Sequence, residues 1–479
     1  MADINLAKNT TFYTAGLTIQ KIISFVYFIY VARMIGVANT GRLSFALGFT
    51  TIFAMFLDFG LTQILIRESA RDKEKSQKYL AAAIGLKLFG SVLIYGLAVL
   101  IINLMNYPIL IKQLVYLSGI VMILDSFTLS FYGVLRGNHN LKFESLSVIL
   151  NQLIIVITGV IVIKLQLGLI FLIGAYLMGS AFNFIYSLVL LKVKLRLSTK
   201  IKFEWAIIKE LLMLSLPFAI AGIFVRLYSA MDIVLLSKLT NDQAVGWYSA
   251  AYKVAFALQF VGVASLASIY PAFCAYFRTS KELLAKTFTK IMYYLMVLSF
   301  PLAVGVLTIA DKIIVPIFGQ QYANSIPPLQ ILILSLPLAF LSFPVGAMLN
   351  ACNKQTVNTV ILGITAGVNI ILNLLLIPYL SYIGSAVAAL LSYFVLFGAG
   401  IFFVNKIVSY DKKYLMVSLG KILVSCLAMG IVVMYLKNYI HFSAVIIFGV
   451  FVYLAVLYAI KGFVKNDFYQ IFTLLFKKS

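Results

Sequence analysis

The chemistry available to this chain lies in ionisable side chains that interrupt long apolar segments. Five cations fall inside such segments: Lys21, Lys87, Arg226, Lys253 and Lys421. Three carboxylates do the same: Asp58, Asp125 and Asp232. A charge near the centre of a bilayer costs about 2.5–3.5 kcal/mol even on insertion scales. Such residues therefore indicate a substrate or ion pathway, or a partner of opposite charge.

Lys21 and Arg226 form the most informative pair. Arg226 lies near the middle of the apolar stretch Leu211–Leu236, and aligning the chain with itself at an offset of 205 places Lys21 on Arg226. If the two helices face one another, their cations line one central cavity that stabilises a compact, multiply charged anion. Phosphate and diphosphate fit, and arginine offers them a bidentate fork. The alternative is structural pairing, with both cations neutralised by Asp58 or Asp125.

The other charged residues have less defined roles. Lys253 and Lys87 are weaker candidates for the same anion, because each lies nearer a membrane face. Asp58 and Asp125 either carry protons in a coupling cycle or balance cations, so coupling to a H⁺ or Na⁺ gradient stays open. Asp232, a further candidate for ion coupling or charge balance, lies near the outer rim, and its spacing of six residues makes it a poor partner for the arginine of its own helix.

The elements that position these residues are membrane-spanning helices. Hydrophobic residues make up 63% of the chain and charged residues 11%, which indicates a polytopic, all-α membrane protein. About 20 apolar residues are needed to cross the hydrocarbon, and this criterion predicts about fourteen spans. They are Thr11–Ile35, Leu43–Ile66, Tyr79–Met105, Ile109–Leu135, Leu146–Leu165, Leu167–Leu191, Leu211–Leu236, Val245–Tyr270, Thr287–Ala310, Leu329–Ala351, Val357–Leu380, Ile383–Val404, Tyr414–Leu436 and Phe442–Ile460.

The net charge of +23 is explained by topology rather than by nucleic acid. With the N-terminus in the cytoplasm, 26 of the 38 Lys and Arg residues fall in cytoplasmic segments, 7 in outer loops and 5 inside spans. This bias follows the positive-inside rule and predicts a multi-pass protein of the cytoplasmic (inner) membrane with both termini cytoplasmic. No cleavable signal peptide precedes the first span, which we expect to serve as the insertion signal.

Two internal matches predict a repeat. An offset of 205 aligns the hexapeptides GRLSFA (Gly41–Ala46) and GWYSAA (Gly246–Ala251). An offset of 212 aligns Leu129–Leu150 with Leu341–Leu362 through shared Leu-Ser-Phe, Asn, Lys and Val-Ile-Leu positions. We therefore expect two parallel six-helix copies, an N-lobe over residues 1–195 and a C-lobe over 196–406, with spans 13–14 and a cytoplasmic tail over 407–479.

Enzyme chemistry is not indicated by the sequence. It contains no Walker A loop, no HExxH and no GxSxG motif, and its three cysteines form no CxxC pair. We expect a transporter without a metal or other cofactor, and alternating access by rocking of the two copies.

The chain resembles the polysaccharide (O-antigen, Wzx-type) flippases of the multidrug/oligosaccharidyl-lipid/polysaccharide exporter superfamily. The similarity lies in Ser215-Leu216-Pro217-Phe218, in Asp232, and in the segment from Ala244 to Lys253 (AVGWYSAAYK). Leu135-Arg136-Gly137 in the first copy, and Asn373–Pro378 (NLLLIP) followed by Gly384-Ser385-Ala386, also fit. The motifs are degenerate, and their order over the whole chain carries the resemblance.

This resemblance implies a flippase for a polyprenyl-diphosphate-linked oligosaccharide, with a cationic lumen for the diphosphate and a lateral gap for the lipid tail. Its partners would be that glycan, the bilayer and, as an open possibility, a glycan polymerase; we expect a monomer. A lipid II flippase and a multidrug antiporter of the same superfamily are the alternatives. Gln20-Lys21 in the first span differs from the Arg-Asp pair typical of the lipid II group.

Overall fold

The structure is a computed structural model that describes residues 2–138, 141–195, 197 and 204–462. Side chains are described for these residues except 2–12, 73, 74, 260, 261 and 263–268. The predicted cytoplasmic tail beyond Gly462 lies outside the described residues.

Sixteen α-helices make up the described chain. They are α1 (Ala2–Ile35), α2 (Val37–Asp58), α3 (Leu61–Arg71), α4 (Lys73–Leu104), α5 (Ile109–Gly137), α6 (Leu141–Lys164), α7 (Leu169–Lys194), α8 (Trp205–Leu239), α9 (Asp242–Ala257), α10 (Gln259–Thr279), α11 (Lys281–Phe318), α12 (Ile326–Ile333), α13 (Leu336–Ala351), α14 (Gln355–Val404), α15 (Lys412–Leu436) and α16 (Phe442–Ala459). A 3₁₀ helix, Gln320–Ser325, connects α11 to α12. The prediction of an all-α, multi-span membrane protein is confirmed.

Twelve helical segments of the described chain are long and apolar enough to cross a membrane, against fourteen predicted spans. Part of the difference lies in α14, whose 50 residues would form a straight rod about 75 Å long. Ser381 inside it has a positive φ of 51°, and a Cβ placed on Gly384 would lie 2.6 Å from the Leu376 carbonyl oxygen. Eight residues of a continuous helix span about 12 Å, so the chain reverses at Ser381 and α14 is a helical hairpin.

The rest of the difference lies in the eighth predicted span. The structure divides this segment at Leu258 into α9 and α10, and neither helix is among the twelve segments. The second predicted span is interrupted in a similar way between α2 and α3, where Phe59 and Gly60 both have positive φ, 45° and 71°. The count of fourteen therefore stays a prediction, and these two features account for its difference from twelve.

Two compact units divide the chain at a different place from the predicted lobes. The first unit is Met1–Gly246 and the second is Trp247–Ser479, so α8 belongs to the first. In the first unit α5 packs on α7, α1 on α6, and α8 on α2, around one apolar cluster that includes Phe45, Phe49 and Ile102. A second cluster, at the α3 end, includes Ile64 and Phe131.

In the second unit α13 contacts α10, α11 and α14, and α11 also contacts α15, which packs on α16. That residues 1–195 and 196–406 are two copies of one repeat stays a prediction.

Candidate functional site

The Lys87 ammonium is a buried charge of the first unit that uses all of its hydrogen-bond donors. Its Nζ donates to Asp58 Oδ1 at 2.8 Å, to the Ser126 carbonyl at 2.6 Å and to Ser126 Oγ at 2.9 Å. Asp58 Oδ1 also accepts a hydrogen bond of 2.5 Å from Thr62 Oγ1. An ammonium has three N–H donors, so all of them are used. Lys87 is 1% exposed and has no donor left for a ligand in this conformation.

The position of this pair explains its burial. Asp58 ends α2 directly before the positive-φ break, Thr62 begins α3, Lys87 lies on α4 and Ser126 on α5. One ammonium therefore connects four helices at the point where the second span bends. Of the two roles that the sequence left open for Asp58, proton coupling or charge balance, this geometry supports charge balance. The substrate-binding role predicted for Lys87 stays a prediction that these contacts do not support.

Arg226 lies in a different environment. On α8, Gly222 approaches Met55 of α2, and a Cβ placed on Gly48 of α2 would lie 3.5 Å from Ile233. Residues three to four positions apart share a helix face, so Arg226 lies on the same α2-facing stripe, between those two contacts. Its side chain is exposed, and no carboxylate oxygen within the described residues lies within 4.0 Å of it. The guanidinium therefore lies in accessible space beside α2.

Lys21 lies on α1, which packs on α6. Gln20 Nε2 donates to Gln152 Oε1 of α6 at 3.0 Å, and Gly16 contacts Ser145 of α6. Consecutive helical residues are rotated by about 100°, so Lys21 is turned away from the α6 contact, and its side chain is exposed. Both α1 and α8 contact α2, but the structure does not place the two cations against each other. That they line one cavity stays a prediction.

The remaining predicted site residues lie apart from one another. Asp125 on α5 is partly exposed beside Ser180 of α7, and no Lys or Arg nitrogen in the described part of the chain is within 4.0 Å of it. Asp232 is 3% exposed on α8. Lys253 is exposed on α9, within the second unit. Their roles in binding or ion coupling stay predictions.

Among the ionic contacts that the sequence analysis missed are two further ones that join helices of the first unit. Arg136 at the end of α5 forms a bidentate pair with Glu144 of α6, and Tyr13 of α1 donates to the same carboxylate at 3.3 Å. Near the start of α2, Arg42 Nε pairs with Asp242 Oδ2, at the start of α9, at 2.7 Å. Arg136 and Glu144 are only 8 residues apart and lie on consecutive helices, so their pairing could have been predicted from the sequence. Arg42 and Asp242 are 200 residues apart, and nothing in the sequence indicates that they meet.

The fold and these intramembrane charges define a polytopic membrane protein whose ionic groups are either structural or exposed beside a helix. The family model described as "Polysaccharide biosynthesis protein" matches residues 6–277, and the chain belongs to that family. A second model, MatE, matches residues 217–375. The resemblance found in the sequence is thus confirmed.

Among curated proteins, an uncharacterized membrane protein of Methanocaldococcus jannaschii is 31% identical over 36% of this chain and 35% of its own length. The match therefore spans about a third of that relative. The probable low-salt glycan biosynthesis flippase of Haloferax volcanii is 24% identical over 90% of this chain and 91% of its own length.

Solved structures show the same fold. The lipid II flippase MurJ, in an inward closed conformation, superposes with a TM-score of 0.78 at 18% identity, covering 94% of this chain and 98% of MurJ. An inward-facing multidrug resistance MATE family transporter of the MOP superfamily has a TM-score of 0.65 at 15% identity, covering 81% of this chain and 95% of that protein. These relatives and neighbours agree with the prediction of a transporter rather than an enzyme.

Replacing Lys87 by methionine tests the structural role of its ion pair. The variant leaves the Asp58 carboxylate buried without its cation, so we expect a loss of about 3–5 kcal/mol of stability. The double variant Lys87→Met/Asp58→Leu removes both charges and is expected to recover most of that loss. The measurement is thermal unfolding in detergent. Lys421→Met is the control, because the half-buried Lys421 ammonium donates to the Lys461 carbonyl and forms no ion pair within the described residues. Equal stability of the parent and Lys87→Met would contradict the assignment.

Proposed function

We propose that this protein is a flippase that moves a polyprenyl-diphosphate-linked oligosaccharide from the cytoplasmic to the outer leaflet of the cell membrane by alternating access. The product would enter cell-surface polysaccharide assembly. The observation that carries the proposal is the exposed, α2-facing guanidinium of Arg226, which has no carboxylate partner among the described residues. Membership of the polysaccharide biosynthesis family supports it.

The charge of the cargo follows from the cost of placing a cation at this depth. An ionised arginine inside the hydrocarbon is retained when it is paired or faces water. Lys87 is paired, whereas Arg226 faces accessible space. A diphosphate brings two adjacent phosphate groups and matches the bidentate geometry of a guanidinium better than a neutral sugar does. We infer that Arg226 binds the diphosphate and that Lys21, at the matching repeat position, contributes a second charge.

The lipid part of the cargo has a candidate surface of its own. Helices α11, α15 and α16 of the second unit enclose an apolar groove of about 430 Å³. It is lined by side chains that include Pro301, Gly305, Met429, Val433 and Gly449. The Tyr453 hydroxyl in the groove donates to the Val297 carbonyl at 2.8 Å, so its proton is not available to hydrogen-bond a ligand. A hydrocarbon chain such as a polyprenyl tail is the ligand that this lining favours.

A second candidate, a flippase for lipid II or a similar precursor, is favoured by the fold match to MurJ. It shares the diphosphate and the polyprenyl chain and differs in the sugar part. The proposal also includes a H⁺ or Na⁺ gradient as the energy source and a glycan polymerase as a partner. It further includes a monomeric state and cytoplasmic termini.

Substitutions of Arg226 test the diphosphate contact. Arg226→Gln is expected to lower the flipping rate of a polyprenyl-diphosphate-linked oligosaccharide in proteoliposomes at least tenfold, because hydrogen bonds to charged groups contribute about 1.5–3 kcal/mol each. Arg226→Lys keeps the positive charge without the bidentate guanidinium, and its flipping rate should lie between those of the parent and Arg226→Gln. Arg278→Gln, at an exposed arginine in the last turn of α10, is the control and should flip at the parental rate. Parental flipping by Arg226→Gln would count against the proposal.

Filling the groove tests the lipid contact. A Cβ placed on Gly305 meets nothing within 4 Å, so Gly305→Leu has room for its first side-chain atom and extends its isobutyl group into the groove. We expect flipping to fall by roughly tenfold, which corresponds to about 1.4 kcal/mol. Gly420→Leu on α15 is the matched control, because Gly420 also faces open space and does not line the groove. If both variants flip alike, the groove does not hold the tail.

A further inference from the structure

Two glycines of the first unit lie where the backbones of α2 and α9 touch. A Cβ added to Gly41 of α2 would collide with the Asp242 carbonyl oxygen at the start of α9 and would lie 3.0 Å from the Gly246 nitrogen. A Cβ added to Gly246 would collide with the Val37 carbonyl oxygen at the start of α2. Each backbone therefore occupies the space that a side chain on the other would need.

These two contacts are related to one another by the offset of the sequence repeat. Gly246 follows Gly41 by 205 residues, and Asp242 follows Val37 by the same number. The glycine of each helix thus meets the backbone four residues earlier in the other, at the residue with which each helix begins. Such reciprocal contacts are expected where two copies meet on a two-fold axis. This supports the repeat from an observation independent of sequence matching.

Further polar contacts hold the same end of the first unit. Arg42 pairs with Asp242 and also donates to Asn39 Oδ1 at 3.2 Å. Nearby, the Tyr107 hydroxyl donates to Ser237 Oγ at 3.0 Å, and Lys238 Nζ donates to the Met105 carbonyl at 2.8 Å. The α1–α2, α4–α5 and α8–α9 connections all meet here. Each follows an odd-numbered predicted span, so this is the outer end in the predicted topology.

The ion pair here differs in strength from the buried one. The Arg42 and Asp242 side chains are 34% and 26% exposed, against 0% and 13% for Lys87 and Asp58. Ion pairs exposed to solvent contribute little to stability, whereas breaking a buried ion pair is strongly destabilising. The Arg42 pair can therefore open within a transport cycle, and the Lys87 pair keeps its end of α2 fixed.

We infer that the crossing at Gly41 and Gly246 is the closed outer gate of the transporter, latched by the Arg42–Asp242 pair. The inference rests on the proposed function and adds the residues that release the cargo on the outer side. The two backbones must part for a headgroup to leave, and they must meet again for the cycle to restart. A side chain at either glycine would hold the gate open.

The test measures access to α2 below the gate. Cys274, Cys352 and Cys426 are replaced by alanine, and Thr51→Cys supplies a reporter ten residues, or about 15 Å, along α2 from Gly41. A membrane-impermeant maleimide is added from outside to cells, and flipping is assayed in proteoliposomes. Gly41→Val is expected to raise the labelling rate of the reporter about fivefold, the population change that corresponds to about 1 kcal/mol, and to lower flipping. Gly96→Val, at a glycine with open space around it, is the control.

Charge exchange keeps the test decisive if Gly41→Val does not fold. Arg42→Asp and Asp242→Arg should each raise labelling, and the double exchange should return it toward the parental rate. Labelling at the parental rate in Gly41→Val and in both single charge variants would overturn the gate, as would faster labelling with undiminished flipping. Labelling needs no cargo. If the parent flips no polyprenyl-diphosphate glycan while Gly41→Val still opens the reporter, the proposed cargo is wrong and the gate stands.

Discussion

An ionised side chain within a bilayer must find either a partner or water, and this constraint organises the first unit. Lys87 finds a partner: its three N–H groups are used by Asp58 and Ser126, which connects α2, α4 and α5. Arg226 lies in accessible space on the face of α8 that meets α2. The cost of placing a charge in the bilayer therefore explains both a structural ion pair at Lys87 and a candidate binding group at Arg226.

Helix α2 links these features. It begins at the glycine crossing with α9, runs past the stripe of α8 that carries Arg226, and ends at Asp58 where the span breaks. The first end is held by a half-exposed ion pair and the last by a buried one. Breaking the buried Lys87–Asp58 pair costs several kcal/mol more than breaking the partly exposed Arg42–Asp242 pair. We therefore expect motion at the Gly41 end of α2, while the helix break after Asp58 keeps its geometry.

Apolar length alone was enough to predict an all-α, multi-span fold, because backbone groups in hydrocarbon must be hydrogen-bonded within the protein and a helix does this within one segment. The reversal at Ser381 falls between the predicted spans Val357–Leu380 and Ile383–Val404, whereas the break at Leu258 lies inside the predicted span Val245–Tyr270. The charges inside the membrane were found from sequence, but their partners were not. Asp58 and Lys87 are 29 residues apart and meet only because α2 and α4 pack together. The sequence analysis therefore named Lys87 and Lys253 as equally weak candidates for anion binding. The hydrogen bonds of Lys87 now distinguish it from Lys253.

The most direct test of the anion-carrier account is the affinity of the purified protein for polyprenyl diphosphate and polyprenyl monophosphate, measured for the parent and for Arg226→Gln. The account predicts that the parent prefers the diphosphate, and that Arg226→Gln binds it at least tenfold more weakly, about 1.4 kcal/mol, and loses the preference. Equal dissociation constants for the two lipids, unchanged by the substitution, would contradict it.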